Sequence, residues 1–191
     1  MGVMKIENDS VPEKVADAKT RILLTAHDLF YQNGIRATGV DRLIKEAGVT
    51  KVTFYRHYPS KNDLILAFLH YRHERWMNWF SKALQVHNNQ VDLLSDVLSE
   101  WFLDSDYRGC AFINSVSELA NELPEVAKIS LAHKQAMTHL IANSLSTSRY
   151  PEVLAEAISL AVDGAIIRVQ SGEPAIKVLA TLTFILDKVL K

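Results

Sequence analysis

Between Thr50 and Lys61 the chain sets Lys51, Val52, Tyr55 and Arg56 at i, i+1, i+4 and i+5, so on a helix they share one side. Two cations beside an aromatic and an aliphatic residue make a poor surface for water and a good one for duplex DNA. A cationic side chain reaches guanine O6 and N7 in the major groove, a valine meets a thymine methyl, and a phenol donates to a phosphate. Phe54 and Tyr58, four apart, are expected to turn inward toward Val40, Ile44 and Ala47 and anchor that helix. Thr53, His57 and Lys61 fall at the margins, where phosphates would lie. The same spacing also fits a solvated helix pair inside an ordinary bundle, because two short helices around a glycine turn are a common packing unit.

Other reactive groupings are sparse. His70, His73 and Glu74 stand at i, i+3 and i+4 and could share a metal. Their order, His-x-x-His-Glu, is not that of the helical zinc proteases, so no metal is expected. The chain's one cysteine, Cys110, excludes an internal disulfide and a thiolate zinc site, and is expected to be a small buried residue. No G-x-S-x-G, G-x-x-x-x-G-K or G-x-G-x-x-G occurs, so neither catalysis nor a cofactor is expected.

These groups must be positioned by helices. Glycine and proline total 7 and 5, and they fall between segments whose apolar residues recur at helical spacing. The fold class expected is all-α with about nine helices. The first would start near Ser10, where Ser10-Val11-Pro12-Glu13 can form a capping box, and stop at Gly34. Short helices follow over 39–47 and 50–58. Ser60-Lys61-Asn62-Asp63 is a second capping box, opening a long helix toward His87. Helices over 91–104, 108–122, 124–147, 151–171 and 174–190 complete the chain, with Pro124, Pro151 and Pro174 near first-turn positions.

The 191 residues are 48% apolar and 23% charged, the balance of a folded protein of one domain, or of a small domain joined to a larger one. The formal charge is −1, yet residues 1–63 hold 10 basic and 8 acidic side chains against 11 and 14 in the rest, so the basic bias is local. No apolar run reaches the ~18 residues of a membrane span, and Glu7 and Asp9 stand where a signal peptide would be apolar. A cytoplasmic protein is expected.

Gly34-Ile35-Arg36-Ala37-Thr38 and the stretch from Ala47 to Leu64 resemble the DNA-binding domain of the tetracycline-repressor (TetR) family. The resemblance covers residues 20–64 and implies a helix-turn-helix domain over 1–63 and an effector-binding and dimerisation domain over 64–191. It implies that Lys51, Val52 and Arg56 face bases and that Thr53, Tyr55, His57 and Lys61 hold phosphates. Gly39 stands where the family commonly has Ser or Thr, so a phosphate contact there would come from the Gly39 amide or from Thr38. Val52 replaces a frequent glycine, so no operator preference carries over. The function implied is a ligand-responsive regulator, a repressor released from a palindromic operator by a small apolar or aromatic molecule. The alternative is a helical small-molecule-binding or adaptor protein without specific DNA binding.

For the second domain, Tyr107 to Asn114 and Asp163-Gly164-Ala165 resemble family segments. Trp76, Trp79, Phe80, Trp101, Phe102, Tyr107 and Phe112 are candidates to line an effector cavity or simply to fill a core. Asn114, Glu118, His133, Met137 and His139 are candidate polar or adaptable contacts. Leu154, Ile158, Ala161, Val162, Ala165 and Val169, then Ile176, Leu179, Thr183 and Leu186, follow helical spacing, and the resemblance places a homodimer's four-helix bundle there.

Overall fold

The structure, a computed structural model, describes residues 17–88, 90–145 and 148–191. Among the described residues it has nine α-helices and no strand. In order they are α1 (Ala18–Asn33), α2 (Val40–Glu46), α3 (Lys51–His57), α4 (Lys61–Val86), α5 (Leu94–Phe102), α6 (Ala111–Leu119), α7 (Pro124–Ser144), α8 (Pro151–Gln170) and α9 (Ala175–Val189). A 3-10 turn, Val91–Leu93, leads into α5.

Local chemistry sets most of these limits. Asp17 caps α1, its Oδ1 accepting the Thr20 amide at 2.8 Å. The capping box expected at Ser10 lies outside the described residues. Gly34, at φ +86°, ends α1 in a conformation that side chains avoid. Thr50 caps α3, accepting from the Thr53 amide at 3.2 Å. At the head of α4, Ser60 Oγ accepts the Asp63 amide at 3.1 Å while Asp63 Oδ2 accepts the Ser60 amide at 2.9 Å, the reciprocal box read from sequence. α6 is shorter at both ends than the 108–122 expected. Residues ahead of it are held in a turn by Asp104 Oδ1, which accepts the Asp106 amide at 2.8 Å, and by Gly109 at φ +79°.

The described residues form two compact units, each with its own core. One comprises residues 17–74 and 111–130, so it reaches beyond the division expected at 63/64. The first half of α4, all of α6 and the start of α7 belong with the three N-terminal helices. Its interior is Ile22, Ala26, Phe30, Leu43, Phe54, Leu64, Phe68 and Val126. Inside it Arg72 of α4 is buried, its Nη1 3.3 Å from His27 Nε2 and its guanidinium 4.1 Å from the centroid of the Tyr31 ring. The other unit comprises 75–110 and 131–191. There α9 packs against both α5 and α8 around Leu98, Ile141, Ile158, Val162, Leu182 and Leu186. No described helix is long and apolar enough to cross a membrane.

Candidate nucleic-acid interface

α3 is seven residues long and could not persist alone, so its orientation comes from its buried side. Phe54 is 0% exposed and Tyr58 4%, and the Tyr58 hydroxyl lies 3.5 Å from the Lys19 carbonyl of α1. Burial raises the Tyr58 pKa, with the charge of Asp17 adding to the shift. From α1, Arg21 Nε donates to the Ala47 carbonyl at 3.3 Å, fixing the end of α2 just before the turn at Gly48. Gly48 has φ +62°.

The opposite side of α3 is open. Lys51 and Arg56 are exposed, Val52 is 79% exposed and Tyr55 40%. A β-branched aliphatic residue standing between two cations contributes nothing to the core, and all three stand on one open face.

At the margins the expected phosphate contacts divide. Thr53 is half-buried and its hydroxyl pairs with that of Thr50 at 2.9 Å, His57 is half-buried, and Gly39 is exposed at the head of α2. No side chain caps α2 there. Thr38 is a correction: it is 0% exposed, its hydroxyl donates to the Gly34 carbonyl at 2.8 Å, and its amide donates to the Ile35 carbonyl at 3.3 Å. Both donors are spent inside the loop, so Thr38 shapes the approach to Gly39 and does not reach outward. Lys61 is half-buried, with Nζ donating to the Ile35 carbonyl at 2.6 Å and lying 5.9 Å from the Phe30 ring centroid. Desolvation holds its pKa below the usual lysine value, opposed by the charge of Glu118.

The cations of this segment are therefore unequal. Arg36 pairs with Glu122 and Arg42 with Glu46, while Lys61 is turned to a carbonyl. Lys45, Lys51 and Arg56 are exposed and make no ion pair among the described residues. Glu118, expected as a polar pocket contact, instead serves the loop between α1 and α2. Its Oε1 accepts the Ile35 amide at 3.3 Å and its Oε2 the Arg36 amide at 2.8 Å. Nothing in local spacing announces a contact across 82 residues.

Residues 22–68, which contain the whole of this arrangement, match the family described as "Bacterial regulatory proteins, tetR family". The chain carries a tetR-family domain over those residues. The TetR-family transcriptional regulator SCO4454 from Streptomyces coelicolor superposes with a TM-score of 0.81 at 29% identity, over 91% of this chain and 94% of that one. The transcriptional regulator TtgR of Pseudomonas putida is 27% identical over 176 residues, 82% of this chain and 81% of its own. The transcriptional activator FasR of Mycolicibacterium smegmatis is 24% identical over 156 residues, 78% of this chain and 71% of its own. With that domain and relatives of this kind, the chain is a DNA-binding transcriptional regulator and not an enzyme.

In the regulator's other unit the aromatic residues expected near an effector form one continuous cluster. Trp76 lies 4.7 Å from Phe80 and 5.2 Å from His133 between ring centroids, and Trp101 lies 5.2 Å from Tyr107. Trp79 and Phe102 extend it, and Met137 is buried nearby in sequence on α7. Tyr107 is fixed by donating to the Ile166 carbonyl at 2.8 Å. Phe112 and Asn114, also expected there, belong to the first unit. Cys110 is buried. No group of three metal-ligating side chains occurs among the described residues, His70, His73 and Glu74 included.

Of the residues expected at a dimer interface, Ile176 is 78% exposed and Thr183 is exposed, while Leu154, Ala161, Val169 and Leu179 are half-buried. Ile158, Val162, Ala165 and Leu186 are buried inside the protomer, which makes them core. The large exposed apolar side chains of these two helices are Val153, Leu160 and Ile167 on α8, and Ile176 and Phe184 on α9. On α8 these alternate with exposed Ala157 and Gly164 at i, i+4, i+7, i+11 and i+14, a single stripe.

Proposed function

We propose that this regulator is a homodimeric repressor that holds a palindromic operator through two copies of α3 and is released by a small, largely apolar or aromatic molecule. The observation that carries the reading is the open face of α3, with Lys51, Val52 and Arg56 toward bases and Tyr55, Thr53, His57 and the Gly39 amide toward phosphates. Lys61, turned to the Ile35 carbonyl, is left out of that set.

The apolar stripe of α8 with Ile176 and Phe184 of α9 supports the dimer, since Ala157 and Gly164 let a second helix come close. An added Cβ at Gly164 would meet nothing within 4 Å. Two-fold pairing puts two reading helices one helical turn or a multiple apart, hence an inverted repeat. The ring cluster around Trp76 and Trp101 supports an aromatic or apolar effector. Release requires the effector to prefer the dimer conformation with mismatched reading heads, by several kcal/mol for a nearly complete switch. α4 spans both units and is the element proposed to carry that change.

The decisive experiment is sequencing of DNA selected by the purified protein at low salt. An enriched inverted repeat is expected, and recovery of no enriched site overturns the reading. A reporter driven through the selected site then separates repression from activation. Compounds that bind should quench Trp76 or Trp79 and weaken operator binding by the factor by which operator weakens theirs.

A further inference from the structure

The loop from Gly34 to Gly39 leads into the helix-turn-helix, and several of its polar backbone groups are served from outside the three reading helices. Glu118 of α6 accepts the Ile35 and Arg36 amides, at 3.3 and 2.8 Å. The Arg36 guanidinium returns to α6 and the turn after it, with Nε donating to the Glu118 carbonyl at 2.8 Å and Nη2 to Glu122. Lys61 of α4 donates to the Ile35 carbonyl. At Gly34 a Cβ would come 3.3 Å from Glu118 Oε1, so the backbone approaches the carboxylate as closely as glycine allows. Beside this junction a narrow crevice of about 10 Å³, room for about one water, lies between Phe30, Ile35, Phe68, Ala111, Ser115 and Glu118. The charged hydrogen bonds hold the loop's backbone beside the buried Ile35 side chain.

We propose that Glu118 is a positioning residue for DNA reading: its carboxylate, on α6, fixes the backbone of Ile35 and Arg36 and through them the angle at which α2 and α3 meet the duplex. The proposal rests on the reading face assigned to α3. Arg36, by its charge a candidate for the phosphate backbone, is the return strap of this junction and adds nothing to the phosphate footprint. Glu118 also screens Lys61, so a group that looks unfavourable toward a polyanion is kept because it sets geometry.

Electrostatics and positioning predict opposite signs, which makes the test sharp. Glu118→Gln removes a negative charge near DNA and by charge alone would tighten every duplex. With positioning it weakens the duplex selected by the wild-type protein roughly tenfold, the worth of one charged hydrogen bond, and leaves mixed-sequence duplex unchanged or slightly tighter. Both are measured by fluorescence anisotropy on the full-length chain, with unfolding temperature as the folding control. Equal or tighter binding of the selected duplex by a folded Glu118→Gln protein overturns the proposal. If the variant does not fold, amide hydrogen exchange of the wild-type chain decides. Ile35 and Arg36 amides are expected to be protected at least tenfold over the exposed Ala37 amide, and exchange at the Ala37 rate overturns it. A wild-type protein that selects no sequence defeats the assigned reading face instead, while the exchange measurement still reports on the junction.

Discussion

Salt titration on a mixed-sequence duplex counts the free cations of the reading head. Residues 34–63 contain six, Arg36, Arg42, Lys45, Lys51, Arg56 and Lys61. The structure commits Arg36 to Glu122, Arg42 to Glu46 and the Lys61 ammonium to the Ile35 carbonyl, leaving three. At ~0.9 per neutralised phosphate, two heads with three free cations each give a slope of about −5 for log K against log salt, whereas six each would give about −11. From 50 to 200 mM salt the first case loses roughly a thousandfold in affinity and the second more than about a millionfold. Fluorescence anisotropy of a labelled duplex across that range separates them. Lys51→Ala should make the slope shallower by nearly two per dimer, while Arg42→Ala should leave it unchanged within error. A wild-type slope near −10, or an Arg42→Ala effect as large as that of Lys51→Ala, would refute the claim that internal pairing silences half of these charges.

Phe54→Ala, at a side chain with no exposed surface, should cost about 3–5 kcal/mol and abolish DNA binding through loss of α3, seen as a lower denaturant midpoint. The Asp17 carboxyl is held below its ordinary value chiefly by the Thr20 amide, then by the Thr20 hydroxyl, so its contribution is full above pH 3.8 and fades as pH falls through the lowered folded value. Asp17→Ala should therefore destabilise at neutral pH and converge with wild type in acid, followed by urea unfolding at stepped pH. Tyr58 has a raised pKa from burial, so the stability tied to its neutral form is complete below pH 10 and is lost as pH climbs through the folded value; Tyr58→Phe should remove that alkaline step. Leu160→Glu combined with Phe184→Glu should yield monomers by light scattering at micromolar concentration with helicity retained, because both side chains are exposed in the protomer; persistence of the dimer would place the interface elsewhere.

What the sequence made legible was local. The Ser60–Asp63 box, the Thr50 cap and the inward pair Phe54 and Tyr58 depend on neighbours one turn away, so spacing alone reveals them. Glu118 was not legible as a loop anchor, since its partners lie 82 and 83 residues back and no periodic pattern links them. Thr38 misled because its hydroxyl borders the helix-turn-helix, and only the fold shows Gly34 taking it. α8 is apolar on two sides, with Ile158 and Val162 in the core and Val153 and Leu160 outside. A helical period finds both stripes and cannot rank them, because the tie is broken by where α9 and α5 lie.

The open face of α3 also bears on how such a protein can diverge. Lys51, Val52 and Arg56 are exposed and the fold leans on none of them. Substitutions at positions of that kind usually change stability by no more than about 0.5 kcal/mol. Phe54 and Tyr58, each two positions from Arg56, admit no such freedom. A duplicate of this gene could therefore wander to a new set of promoters through three codons without first acquiring a compensating stabiliser, and an engineer could randomise the same three codons in one library and expect nearly every member to fold.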